Sequence, residues 1–251
     1  MGELVRHELV DGVATITLDS QHNRNALSSQ LIRELAESLD AAESAVARAI
    51  VLRHEGPAFC AGADLKERSA ASGPPDSSPM VDVMRRLMDT DRPTIAAVDG
   101  AVRAGGIGLM ASCDLVVVDR SVSFALTEVR IGVAAAIISV PILRRVPPGK
   151  IAAAMLTGEV FDADEARSIG LVTHVTDDVA ATVAGLCDGI RAGAPRAVRE
   201  TKRLLRHVPT LDRDAAFEEM RSLSDELFAS PDAQEGMAAF KDKRTPTWPV
   251  G

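Results

Sequence analysis

The chain has 251 residues, 46% of them hydrophobic and 25% charged, with a formal net charge of −8. That balance predicts a folded protein with a sizeable core, and the acidic charge argues against a broad nucleic-acid surface, which needs clustered excess lysine and arginine. Aromatic residues make up only 3%, with no tyrosine, which argues against base-stacking platforms and means the core must be Ala, Val, Leu and Ile. The three cysteines, Cys60, Cys113 and Cys187, lie far apart without metal-ligand spacing and suggest a reducing compartment. Residues 1–8 lack a basic-then-apolar signal pattern, and no apolar run approaches the ~20 residues of a membrane span. The expectation is a cytoplasmic protein with no membrane or nucleic-acid partner and no metal.

In chain order, residues 3–19 read as two strands around the turn pair Asp11-Gly12. Ser28 or Ser29 can cap a helix through about residue 43, with Leu31, Leu35 and Leu39 on one face. Residues 48–53 are a short buried strand. Residues 70–79, rich in Ser, Gly and Pro, are a loop by composition, and residues 80–88 a helix. Strands follow at 94–98 and 114–118, with a helix at 105–112 despite its glycines. This alternation implies α/β architecture with crossover connections. After Pro141 the pattern turns helical, at 151–156, 164–168, 178–190, 195–206, 211–228 and 232–241, with one strand at 171–175. Two units are expected: a core over 1–191 that carries the site, and a helical tail over 192–251 that packs through its apolar face on a neighbour, in the same chain or another.

Two apolar segments run into glycine-rich turns where a strand would hand over to a helix. Residues 49–53 lead to Cys60-Ala61-Gly62-Ala63-Asp64, and residues 94–98 lead to Arg103-Ala104-Gly105-Gly106. Such turns leave backbone N–H groups free, and two of them aimed at one point make an oxyanion hole.

The stretch 59–67 resembles the first signature of the enoyl-CoA hydratase/isomerase (crotonase) family. Residues 96–100 through Gly105-Gly106 to 112–117 resemble its second, and 123–133 its third. Leu156-Thr157-Gly158-Glu159 with 166–172, the C-terminal 235–240 with Lys243-Arg244, and Arg24-Asn25-Ala26-Leu27 match the family in order, over nearly the whole chain. The resemblance implies a superhelix of repeated ββα turns with a C-terminal helical trimerisation region, assembled as a homotrimer or a dimer of trimers. It makes the Ala63 and Gly105 amides the donors that grip the thioester carbonyl of an acyl-CoA substrate. It places Glu128 as the catalytic acid/base, and Arg24, Ala26, Ala61, Asp64, Leu65 and Lys66 along the coenzyme A. Arg24 and Lys66 would meet phosphates, and Lys243 would reach a neighbour's coenzyme A. Coenzyme A enters as part of the substrate, and no other cofactor is implied.

Two departures stand out. Many family hydratases carry a second glutamate, and the matching position here is Gly108. Where the family often reads Pro-Gly-Ala-Gly-Gly, this chain reads Ala134-Ala135-Ala136-Ile137-Ile138. Adding water across a 2,3 double bond is served best by two carboxylates, although one can relay the same proton. Moving a double bond from 3,4 to 2,3 needs only one. Hydration of a 2-enoyl-CoA with Glu128 as acid/base is therefore the expected activity, with 3,2-enoyl-CoA isomerisation as the alternative and a weakly catalytic coenzyme A binder as the third. An apolar surround should raise the pKa of Glu128; the bland alternative is a salt bridge with Arg130 or a surface acid. Gly108→Glu should raise hydration if the pocket has room. Residues 69–88 are expected to supply the acyl wall. Asp114 reads as structural and Cys60 as a small buried hydrophobe. The five histidines show no metal pair, and Gly105-Gly106-Ile107-Gly108 completes no dinucleotide pattern.

Overall fold

The computed structural model describes residues 2–248 except 46, 71 and 73–75. It opens with a hairpin in which β1 (Val5–Val10) and β2 (Val13–Leu18) pair antiparallel, Val5 opposite Leu18 and Val10 opposite Val13. Asp11 and Gly12 both take positive φ, as a two-residue turn matched to the strand twist requires. Helix α1 (Ser29–Ser44) starts where Ser28 Oγ accepts from the Leu31 N–H at 3.2 Å, and buries Leu31, Leu35 and Leu39 along one face. Removing most of such a side chain costs roughly 2–5 kcal/mol. Leu35→Ala should lower the urea midpoint accordingly without changing the m-value.

A strand–strand–helix unit then repeats. β3 (Ala49–His54) and β4 (Ala58–Cys60) lead to α2 (Leu65–Ala70) and α3 (Ser78–Asp89). β5 (Thr94–Val98) and β6 (Ala101–Arg103) lead to α4 (Gly105–Ala111). β7 (Leu115–Asp119) and β8 (Ser123–Ala125) lead to a 3₁₀ turn (Glu128–Ile131) and α5 (Ala136–Leu143). The first strand of each unit joins one sheet and the second joins another, so the chain winds as a superhelix. With β9 (Val160–Asp162) and β10 (His174–Thr176), the sheets run β1-β2-β3-β5-β7-β10 and β4-β6-β8-β9. This is the ββα architecture implied by the resemblance.

The large sheet is covered on both faces, so β3, β5 and β7 are nearly continuous apolar runs. One face packs on the main core with α1 and α3. On the other, Val51, Ile95 and Val117 meet Val183 and Cys187 of α8 (Val179–Ala192), with α6 (Pro148–Thr157) and α7 (Ala163–Ser168) preceding it in the chain.

All six strands of the large sheet were legible in the sequence, although β10 starts three residues later than the expected 171. The small sheet was not: each of its strands has three residues, too few for an alternation to show. The expected loop over 70–79 is shorter at its end, because α3 begins at Ser78 with Pro79 in its first turn. Positions 71 and 73–75 of that loop lie outside the described residues.

Residues 192–248 carry α9 (Pro195–His207), α10 (Arg213–Phe228) and α11 (Pro231–Asp242), and among the described residues no strand. The first of these helices is anchored in the core. Lys202 is only 3% exposed, with Nζ 2.7 Å from Asp114 Oδ2 and 2.8 Å from the Arg92 carbonyl. Burial pulls the Lys202 ammonium below the usual lysine range, while Asp114 holds it up. The same carboxylate oxygen accepts from the Thr94 N–H and hydroxyl, so Asp114 is structural, as read. Breaking a buried pair from one side strands the other charge, at about 3–5 kcal/mol. Asp114→Asn should therefore lower unfolding free energy by that much, measured in urea; unchanged stability would contradict the tether. At the chain's far end the Trp248 indole N–H donates to the Ala192 carbonyl at 2.7 Å, strapping the C-terminal segment across the start of the tail.

Candidate active site

The two glycine turns lie in van der Waals contact. Gly62 has φ +91°, and a β-carbon there would stand 2.9 Å from Ala104 Cβ and 3.5 Å from the Gly105 nitrogen. A β-carbon on Gly106 would stand 2.7 Å from Cys60 Cβ. Only glycine permits so close an approach with that backbone. Between the turns, Ala104 sits at φ 48° and ψ −121°, a conformation that costs a non-glycine residue about 1–3 kcal/mol. It is held there because its N–H donates to the Ala125 carbonyl at 2.9 Å, extending the β6–β8 pairing.

The first turn is braced from the other side. The Leu27 N–H donates to the Gly62 carbonyl at 2.7 Å, and the Ala61 N–H donates to the Arg24 carbonyl at 3.0 Å. Asn25 fixes that segment: its buried side chain accepts from the Ser20 N–H and donates to the Glu55 and Ala58 carbonyls. Sequence reading singled out Arg24-Asn25-Ala26-Leu27 without seeing this clamp, because it joins partners about thirty positions apart. With Gly62 braced through its carbonyl, the Ala63 N–H has no acceptor among the described residues, and neither has the Gly105 N–H at the first position of α4.

Glu128 follows β8 three residues after Ala125, a reach of at most about 11 Å from the residue that pairs with Ala104. Its carbonyl accepts from the Val133 N–H at 3.1 Å, which folds the chain back toward α5. Its Oε2 is buried without a hydrogen-bond partner among the described residues. Burial pushes its carboxyl above the usual range. Arg130 makes no ion pair with it; the Arg130 Nε–H donates to the Thr157 carbonyl instead. The ring of contacts closes when α5 returns Ile138 onto Gly108 of α4. The structure thus brings the Ala63 and Gly105 turns into contact, and backbone pairing ties the segment that leads to Glu128 to the second of them.

The remaining predicted residues divide. Ala26 is buried, Ala61 half-buried, and Leu65 and Lys66 exposed beside the first turn. Arg24 and Lys66 are exposed and make no ion pair among the described residues. Asp64 caps α2: its Oδ1 accepts from the Lys66 and Glu67 N–H groups, and Asn23 donates to its Oδ2 at 3.0 Å. These bonds hold its carboxyl below the usual range, the Glu67 N–H foremost. Lys243 stands apart, exposed at the end of α11 with φ 54°.

Apolar residues roof α4, and Met80 and Met84 among them fall in the 69–88 stretch expected to supply the acyl wall, although the sequence pointed to neither residue individually. A β-carbon on Gly105 would meet Leu27 Cδ1 at 2.9 Å and Met80 Cε at 3.1 Å; on Gly108 it would meet Ile138 Cγ2 at 2.3 Å and Met84 Cε at 2.9 Å. The spacing of Met80 and Met84, one helical turn apart, is the signal that could have found two of them. The room on which the Gly108→Glu prediction was conditional is absent, because Ile138 already fills it. Cys60 is no nucleophile: burial pushes its thiol up to about 12. His54, read as one of five scattered histidines, is buried against Gly100 with Nε2 2.7 Å from Asp99 Oδ1. Among the described residues no group of three or more His, Cys, Asp or Glu could hold a metal ion, and no helix is long and apolar enough to cross a membrane.

The ββα superhelix defines the fold class, and comparison with known proteins agrees. The family model described as enoyl-CoA hydratase/isomerase matches residues 8–250. A Thermus thermophilus protein with a provisional enoyl-CoA hydratase name is 35% identical over 243 residues, covering 93% of this chain and 96% of that one. The solved enoyl-CoA hydratase of Mycobacterium smegmatis superposes with a TM-score of 0.91 at 30% identity, covering 98% and 99% of the two chains. One from Mycobacterium avium is 42% identical, with a TM-score of 0.75 and coverage of 98% and 99%. The chain belongs to the enoyl-CoA hydratase/isomerase family, whose members bind acyl-CoA substrates.

Proposed function

We propose that this chain hydrates a 2-enoyl-CoA thioester. What carries the reading is a pair of touching turns whose Ala63 and Gly105 amides have no acceptor among the described residues, together with a Glu128 Oε2 buried without a partner among them. The thioester carbonyl oxygen accepts from both amides. Water adds its oxygen to C3 while Glu128 takes its proton, and the displaced electron pair moves through C2 onto the carbonyl oxygen. The two N–H groups hold that enolate, each worth about 2.7–4 kcal/mol of barrier. Glu128 then delivers a proton to C2, releasing 3-hydroxyacyl-CoA with the carboxylate restored.

Arg24 and Lys66, charged and without an ion-pair partner among the described residues, suit the coenzyme A phosphates, and Ala26, Ala61, Asp64 and Leu65 form the adjacent wall. Lys243 serves the coenzyme A of a neighbouring copy, in a homotrimer or a dimer of trimers. The exposed Phe217, Phe228 and Phe240 of the tail, the last 88% exposed, support such an assembly. Light scattering should give three or six times the 26.5 kDa chain mass; a monomer at micromolar concentration would refute it.

The test is loss of enoyl absorbance from crotonyl-CoA with formation of the 3-hydroxyacyl product. A second reading, isomerisation of a 3-enoyl-CoA, draws on a specific observation: Ile138 leaves no room for a second carboxylate at position 108. In that reaction Glu128 removes a proton from C2 and returns it at C4. Conversion of 3-enoyl-CoA alone would select it, and thermal stabilisation by coenzyme A without turnover of either would select a binder.

A further inference from the structure

We propose that Ile138 is a specificity-determining residue that restrains hydration in this site and shifts its chemistry toward proton transfer between C2 and C4. The inference rests on the reading of Ala63, Gly105 and Glu128 given above.

Gly105 and Gly108 are three positions apart on α4 and so share a face, about 5 Å along the helix. A thioester carbonyl held by the Gly105 amide sends its acyl chain past that face, two to three bonds bringing C3 and C4 level with Gly108. What stands there is hydrocarbon. Ile138 Cγ2 and Cβ lie 2.3 and 2.5 Å from where a Gly108 β-carbon would be, and Met84 Cε lies at 2.9 Å. With Leu27 and Met80 over Gly105, four buried apolar side chains roof the glycine face, and none of them titrates.

These side chains differ in stiffness. Met80 and Met84 meet the glycines with terminal methyl groups of unbranched chains, which can swing aside for an acyl group. Ile138 is β-branched and presents its own Cβ, fixed to the backbone of α5. An acyl chain can displace the methionines, but nothing displaces Ile138 short of moving the helix. A water delivered to C3 from this flank has neither space nor a hydrogen-bond partner, whereas the C2-to-C4 proton shuttle needs only Glu128. Hydration is left to whatever water reaches C3 from Glu128's own side.

The test compares wild type, Glu128→Gln, Ile138→Ala and the pair Gly108→Glu and Gly108→Glu/Ile138→Gly, as full-length protein, on crotonyl-CoA and a 3-enoyl-CoA. Ile138→Ala should raise the ratio of hydration to isomerisation about tenfold or more, the range that one pocket methylene commands. A ratio is insensitive to the fraction of folded enzyme, so a merely structural role would not move it. Gly108→Glu should fold poorly alone and recover its melting temperature when combined with Ile138→Gly, with a further rise in the ratio. A ratio unchanged within twofold in Ile138→Ala, while wild-type turnover of either substrate still depends on Glu128, overturns the inference and leaves the reading standing. Turnover of neither substrate by wild type, or full turnover by Glu128→Gln, overturns both. Gly108→Glu folding as well as wild type overturns the steric argument at its root.

Discussion

Glu128→Gln is expected to lower enoyl-CoA turnover by about 10²–10⁴-fold, the usual worth of a positioned acid/base, while acyl-CoA binding persists. Glutamine keeps the shape and loses only the ability to take and give a proton. The pH profile supplies an independent check. Burial raises the Glu128 pKa, so the fraction ready to accept a proton falls as pH drops through that raised value. The acid limb of kcat/KM should lie above the ordinary carboxylate range in wild type and vanish in the variant. Stability should move oppositely. A carboxyl whose folded pKa exceeds its unfolded one favours the native state below both values and loses that contribution as pH rises through the folded one. Glu128→Gln should therefore be more stable than wild type at neutral pH, with the advantage shrinking in acid. A variant that is equally active, or that keeps the displaced limb, would place the acid/base elsewhere.

Gly62→Ala is the second large effect expected. The new methyl would stand 2.9 Å from Ala104 Cβ and 3.3 Å from the Arg103 carbonyl oxygen, at φ +91°. None of those neighbours is the far end of a flexible chain. The turns must separate, and the Ala63 and Gly105 amides lose their common target. Misplacing one oxyanion donor costs about 10²–10³ in kcat, with roughly 1–2 kcal/mol of backbone strain added. Steady-state kinetics on crotonyl-CoA beside far-UV circular dichroism would separate lost catalysis from lost fold. Gly189→Ala, inside α8 with open space beyond its own helical turn where the carbon is added, is the matched control and should leave kcat unchanged while stabilising slightly. Wild-type kcat in folded Gly62→Ala would mean that the two amides do not act together.

Much of this was readable because the sequence carries local signals. The hairpin turn at Asp11-Gly12, the Ser28 cap, the Leu31-Leu35-Leu39 face and the apolar runs of β3, β5 and β7 each depend on neighbours within a few positions. The ordered motifs around Gly62, Gly105 and Glu128 then named the site. Three-residue strands escaped because β4, β6 and β8 are defined by pairing with one another and not by their own pattern. The Asn25 clamp and the Lys202–Asp114 tether escaped for the same reason, since their partners lie about thirty and ninety positions away.

By itself the sequence determined which backbones could bend sharply, which faces would be apolar and where the lone carboxylate falls, because these follow from residue type and spacing. Only the tertiary structure decided that the Gly62 and Gly105 turns touch and that one Glu128 oxygen is buried without a partner among the described residues. It alone decided that Ile138 occupies the space above Gly108. Each of those facts is a distance between segments, fixed by how α4 and α5 pack and how β6 pairs with β8, and no local pattern encodes it.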